Sequence, residues 1–181
     1  MFKLNRGLHD RRDLEATADM FVRDIETFIA GTIAATTPAS TPASLLKSAW
    51  ALTDDYTDWL RWGPSGMPLT GEQIAAHAEA AARALQAEGW NPTYPAGRGI
   101  RAALVHAEAT DPEHRFSGDT RIALNFIFEA LIRALTGAPH ASYTAWDEHP
   151  ARTVEDVFGL LAAAAAFARA YGALAPAAQA V

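Results

Sequence analysis

The sequence predicts an all-α fold, and three observations carry that prediction. Apolar residues recur at steps of three and four through several long windows, the spacing of one helix face. Capping patterns and Pro/Gly clusters punctuate those windows where helices would start and stop. No alternating apolar–polar run of strand length occurs. About six helices follow, arranged as an N-terminal helical hairpin over residues 1–66 and a four-helix, bundle-like unit over 67–172, with a flexible tail at 173–181.

The first helix is expected over 10–35, where Leu14, Ala18, Phe21, Val22, Ile25, Phe28, Ile29 and Ile33 form one stripe. Two prolines and five hydroxyl residues between Thr36 and Ser44 make a loop. Thr41 as N-cap and Pro42 at the first helical position open a second helix over about 42–62. Its apolar face holds Leu45, Leu46, Ala49, Leu52, Tyr56, Trp59 and Leu60, and Gly63-Pro64-Ser65-Gly66 stops it.

Thr70-Gly71-Glu72-Gln73 is a capping-box pattern. The helix it opens carries Ile74, Ala78, Ala81, Ala82 and Leu85, with Gly89 as a left-handed C-cap. A shorter helix over about 100–109 presents Ile100, Leu104 and Ala107 before Asp111-Pro112. Ser117-Gly118-Asp119-Thr120 opens the most apolar helix, about 119–136, which suits the centre of a bundle or an oligomer interface. Gly137-Ala138-Pro139 ends it. The last helix, about 154–171, is built on alanine, whose small side chain lets a neighbouring helix approach closely.

Half of the 181 residues are hydrophobic and a fifth are charged, an ordinary soluble balance. A chain of this length buries about two-thirds of its unfolded surface, enough for a core without staples. The formal charge of −6 opposes generic affinity for nucleic acid or an anionic membrane. The absence of cysteine excludes disulfides, thiolate catalysis and zinc-thiolate sites. No stretch reaches the roughly 18 apolar residues of a spanning helix, and the start lacks the apolar core of a signal peptide. A cytoplasmic protein is expected.

The segment Trp146-Asp147-Glu148-His149-Pro150-Ala151-Arg152-Thr153-Val154-Glu155-Asp156-Val157 reads as a polar loop running into a helix start. Thr153 caps that start, Asp156 stands at the third helical position, and Arg152 is within reach of Asp147 or Glu148. Together with Glu88-Gly89-Trp90 and Gly99-Ile100-Arg101-Ala102-Ala103-Leu104, this segment resembles a small family of unknown function found in actinobacteria and their phages. The likeness covers residues 72 to about 172. Where members of that family often carry a Cys and a Gly after the Gly-Trp loop, this chain has Arg101 and Ala102. The resemblance implies a scaffold, with no reaction, cofactor or catalytic residue attached.

Two candidate sites follow. Trp90, Arg98, His106, Trp146, Asp147, His149 and Arg152 would make a ligand-binding cluster, with acid–base and anion-binding groups beside a helix N-terminus. Trp50, Trp59 and Trp62 would make an aromatic face for a protein partner or a second copy. The histidines show no metal-ligand spacing, and no phosphate-binding loop or nucleophile elbow is present. No catalytic residue, metal or cofactor is expected. Lys3, Arg6, Arg11 and Arg12 form a short basic cluster of the kind that touches phosphate. The expected function is therefore a non-enzymatic interaction protein acting by protein–protein contact or self-assembly, with a phage or mobile element as the expected origin. The alternatives are a small-ligand binder or hydrolase-like enzyme at the Trp146–Arg152 loop and a nucleic-acid-associated regulator.

Overall fold

In a computed structural model of the chain, residues 42–53, 58–93 and 95–174 are described. The helix expected over 10–35, the basic cluster from Lys3 to Arg12, Tyr56 and the end of the tail lie outside them. Among the described residues six α-helices follow one another: α1 (Pro42–Ala51), α2 (Gly71–Glu88), α3 (Ile100–Thr110), α4 (Gly118–Thr136), α5 (Tyr143–Asp147) and α6 (Val154–Tyr171). A 3₁₀ turn at Asp58–Leu60 precedes α2. Two isolated bridges, Trp62 with Pro68 and Asn91 with Arg98, are the only extended pairings among the described residues. No described helix is long and apolar enough to cross a membrane.

The long helices begin where their caps stand. Thr70 accepts from the Gln73 N–H at 3.2 Å while the Gln73 side chain accepts from the Thr70 N–H at 3.0 Å, a complete capping box. Thr153 and Asp156 repeat it at the start of α6. Gly137 ends α4 in the left-handed conformation. Gly89 has the positive φ of +80° that favours glycine, but its ψ of 139° sends the chain into the Asn91–Arg98 bridge instead of the expected left-handed cap.

The helix expected over 42–62 stops at Ala51. Leu52 and Thr53 bond back over three residues, to Ala49 and Trp50, and the Thr53 hydroxyl donates to the Trp50 carbonyl at 2.6 Å. Threonine and aspartate satisfy backbone groups locally in this way, and Thr53-Asp54-Asp55 offers three such residues in a row. The core is continuous across the expected boundary at residue 66. Ala49, Leu60 and Leu69 are buried in the same cluster as Ile74, Leu124, Phe128, Leu161 and Phe167.

Among the described helices, α2 and α6 share the most extensive contact. Alanines at 75, 78 and 81 on one helix and 164, 165 and 168 on the other are buried, and small side chains at a contact shorten the interaxial distance. The pair closes at Gly71 and Gly172, where the Gly71 N–H donates to the Ala173 carbonyl at 2.8 Å. Outside, Arg169 forks onto both oxygens of Glu72 at 2.8 Å and reaches Glu79 at 2.6 Å. That hydrogen bonding holds the Glu72 carboxyl below its usual range.

A Cβ on Gly71 would stand 2.3 Å from the Ala168 carbonyl oxygen, a backbone atom that cannot turn aside. Gly71→Ala is expected to lower stability by about 1–3 kcal/mol, the usual cost of overpacking, read as a fall in urea midpoint at unchanged slope.

Candidate functional site

The Trp146–Val157 segment begins as a short helix, where a polar loop was expected. Ser142 caps α5 by accepting from the Ala145 N–H at 3.4 Å, and the buried Tyr143 ring packs 5.5 Å from Phe128. This anchoring puts Asp147, at the helix end, inside the protein with 4% of its surface exposed.

The two oxygens of Asp147 hold two different parts of the chain. One accepts the Trp90 indole N–H at 2.8 Å, and the other accepts the Ile100 backbone N–H at 2.8 Å. Ile100 is the first residue of α3, and its N-cap, Gly99, has no side chain to cap with. Asp147 supplies that cap from another element, with negative charge at the positive end of the helix dipole. Gly99 leaves the room, since a Cβ there would lie 2.3 Å from the Asp147 oxygen. Trp90 is presented by the loop that the Asn91–Arg98 bridge closes, where Arg98 Nε donates to the Gly89 carbonyl at 3.1 Å. Burial pushes the Asp147 carboxyl up from its ordinary range, against the pull of the Trp90 and Ile100 donors.

The remaining residues of the predicted cluster are spread over separate contacts. Arg152 lies over the Trp146 ring at 3.9 Å and faces Asp156 at 3.5 Å, rather than Asp147 or Glu148. His149 Nδ1 accepts the Ala151 N–H at 3.2 Å in a local turn. His106 projects from α3 toward Glu88 at 3.7 Å. His106 and Asp147 share the lining of one open groove, about 630 Å³, with Arg101, Val105, Thr144 and Glu148. Among the described residues, no group of three or more His, Asp or Glu side chains is placed to hold a metal ion.

The three tryptophans of the predicted aromatic face divide. Trp50 is half-buried and stacks on Tyr171 at 4.5 Å with the rings nearly parallel, so it packs α1 onto α6. Trp59 and Trp62 stay on the outer side of α4. The Trp59 ring lies 5.3 Å from Phe126, and Trp62 and Phe126 are 54% and 45% exposed. Two grooves meet at the Trp59–Phe126 pair. One, about 390 Å³, runs toward Trp62, Pro64 and Ile122. The other, about 340 Å³, runs toward Glu129, Arg133 and His140.

Two buried polar groups escaped the sequence reading. Asp111 accepts the backbone N–H groups of Glu113 at 3.3 Å, Phe116 at 2.9 Å and Arg115. Burial opposes its ionisation, and these donors outweigh that, holding its carboxyl below the usual range. His77 is fully buried, stacked on Phe116 at 4.8 Å. Its Nε2 faces the Leu104 carbonyl at 3.1 Å, and its Nδ1 faces the Thr120 hydroxyl at 2.8 Å. A carbonyl only accepts, so Nε2 carries a proton toward Leu104, while Nδ1 faces the Thr120 hydroxyl, whose own proton is directed at the Ser117 carbonyl at 2.9 Å. His77 thus ties α2 to the middle of α3 and to the start of α4 at one point. Its spacing from Ile74 and Ala81 is the helical step of three and four, which was the available signal.

A family model described as a family of unknown function (DUF6197) matches residues 69–167. The match runs from the cap of α2 through most of α6. It includes Trp90, Ile100 and Asp147, and it leaves out α1, Trp59 and Trp62. No curated protein and no solved structure matches the chain.

Burial holds the His77 imidazole below the usual histidine range, and Arg121 adds to that, against the Leu104 carbonyl and Asp111. The unfolded chain therefore binds the proton more readily than the folded one. Stability is fully present above the unfolded value of about 6.5 and falls as the pH drops below it, by up to about 1.4 kcal/mol per pH unit. Urea melts between pH 7.5 and 5 are expected to show this slope, and His77→Gln, which cannot titrate, is expected to flatten it.

Proposed function

The chain belongs to a family of unknown function (DUF6197), and on that scaffold we propose a non-enzymatic interaction protein that binds a protein partner through the outer face of α4. The observation that carries this reading is the aromatic surface formed by the exposed Trp62 and Phe126 with the half-buried Trp59 ring against Phe126, and with Met67 63% exposed in the turn beside Trp62. Large aromatic side chains left at the surface beside grooves are the residues that dominate binding energy at protein interfaces. Single exposed apolar residues are ordinary; here they adjoin one another.

The polar groups of the family-matched segment point the same way. Both oxygens of Asp147, the Trp90 indole N–H and Arg98 Nε are engaged in hydrogen bonds within the chain, the last of them at the surface. A second reading, a small-ligand or hydrolase-like site at the Trp146–Arg152 loop, has the groove lined by His106, Arg101 and Glu148 in its favour. The finer parts of the proposal are a cytoplasmic location and an actinobacterial phage or mobile-element origin, which rest on the sequence resemblance and on composition.

The test is position-resolved photo-crosslinking in the producing cell, with a benzophenone amino acid in place of Trp62, Phe126 or, as a control, the exposed Glu155 of α6. Discrete adducts from positions 62 and 126 and none from 155 are expected. Equal labelling at all three positions, or none at 62 and 126, would overturn the reading. Adducts with a second copy of the chain would identify self-assembly as the form the contact takes.

A further inference from the structure

The groove on the Arg133 side of the Trp59–Phe126 pair has a composition that an apolar docking face does not need. Its walls are the two aromatic rings with Leu52 and Ala130. Its polar lining is Glu129 and Arg133, one helical turn apart on α4, with His140 at the rim. Glu129 and Arg133 stand at the spacing where opposite charges pair, yet no ion pair joins them, and Glu129 has no hydrogen-bond partner among the described residues. The Arg133 guanidinium makes a single long hydrogen bond, Nη1 to the Leu52 carbonyl at 3.4 Å. Its Nε is buried with no partner. A buried donor on a charged group, left unpaired, is costly, and the guanidinium that carries it lines the groove.

We propose that this groove receives the C-terminal residue of a partner protein. The terminal carboxylate sits on Arg133, the last backbone N–H donates to Glu129, and an aromatic or large aliphatic last side chain lies against Trp59 and Phe126. The proposal deepens the interaction reading and rests on it for the choice of a protein over a free metabolite. A planar guanidinium presents parallel N–H groups that match a carboxylate, and a residue's own N–H and carboxylate are close enough to meet two side chains one turn apart. A volume of about 340 Å³ suits one residue, not a folded element. The upstream residues of the partner would continue past Trp59 into the groove at Trp62 and Ile122.

The test titrates the intact protein with N-acetyl-phenylalanine, followed by amide and indole NMR shifts, and repeats the titration with N-acetyl-phenylalanine amide. The free acid is expected to shift the Trp59 indole and the amides around Arg133, and the amidated compound to bind at least about tenfold more weakly, the loss of one charge-assisted contact. Arg133→Gln is expected to erase the difference between acid and amide. Since that comparison is made first on the unaltered protein, misfolding of the variant leaves the outcome intact. Equal binding of acid and amide, or shifts centred elsewhere, would overturn the proposal. So would free phenylalanine binding more tightly than a pentapeptide ending in phenylalanine, because the occupant would then be an amino acid. Crosslinks from position 62 without acid–amide discrimination sink this inference alone. Discrimination without crosslinks sinks the interaction reading and leaves a carboxylate pocket.

Discussion

The fold of the family-matched segment depends on the buried carboxylate of Asp147. A helix bundle can pack its apolar faces with several connectivities, and hydrophobic burial alone does not choose among them. Asp147 fixes the geometry because it must be satisfied where it is buried. It takes one donor from the Trp90 loop and one from the first turn of α3. Three separate stretches of the chain, the last of them distant in sequence from the other two, then meet at one side chain. The absence of a side chain at Gly99 and the tryptophan at 90 are both consequences of that meeting.

Two further restraints build on it. His77 connects α2 to the carbonyl of Leu104 on α3 and to Thr120 at the start of α4. The glycines at 71 and 172 let α2 and α6 close on each other over alanine. A polar side chain that must find its partners discriminates between packings that apolar contact leaves nearly equal in energy. The chain therefore spends its buried polar groups on specifying the arrangement. The interaction surface we propose lies outside this framework, on the face of α4 that carries Phe126 and Arg133 and against which Trp59 packs. Trp59 and Trp62 precede the family-matched segment.

Helix starts were legible because capping is local. Thr70 with Gln73 and Thr153 with Asp156 are spaced by the geometry of the first turn. Helix α5 was not, because five residues with a single cap carry too little periodicity to separate from a loop. The break after Ala51 was hidden by an apolar stripe that keeps helical spacing through residues that favour turns. The role of Asp147 was illegible for a different reason. Its partners lie 57 and 47 residues away, and an aspartate among Glu148 and His149 looks like a solvated loop residue. The groove at Arg133 joins α4 to residues from the turn before α2, which no single window of sequence contains.

The central claim, that the tryptophan motif is a structural clamp, is tested most directly at Asp147. Asparagine there keeps the shape but turns one acceptor into a donor facing an N–H group. Asp147→Asn is expected to lose about 1–3 kcal/mol of stability, the cost of a buried donor left unsatisfied, with faster hydrogen exchange at the Ile100 amide. A variant as stable as its parent or more so, with Ile100 exchange unchanged, would contradict it and return Asp147 to the candidates for a ligand-binding role.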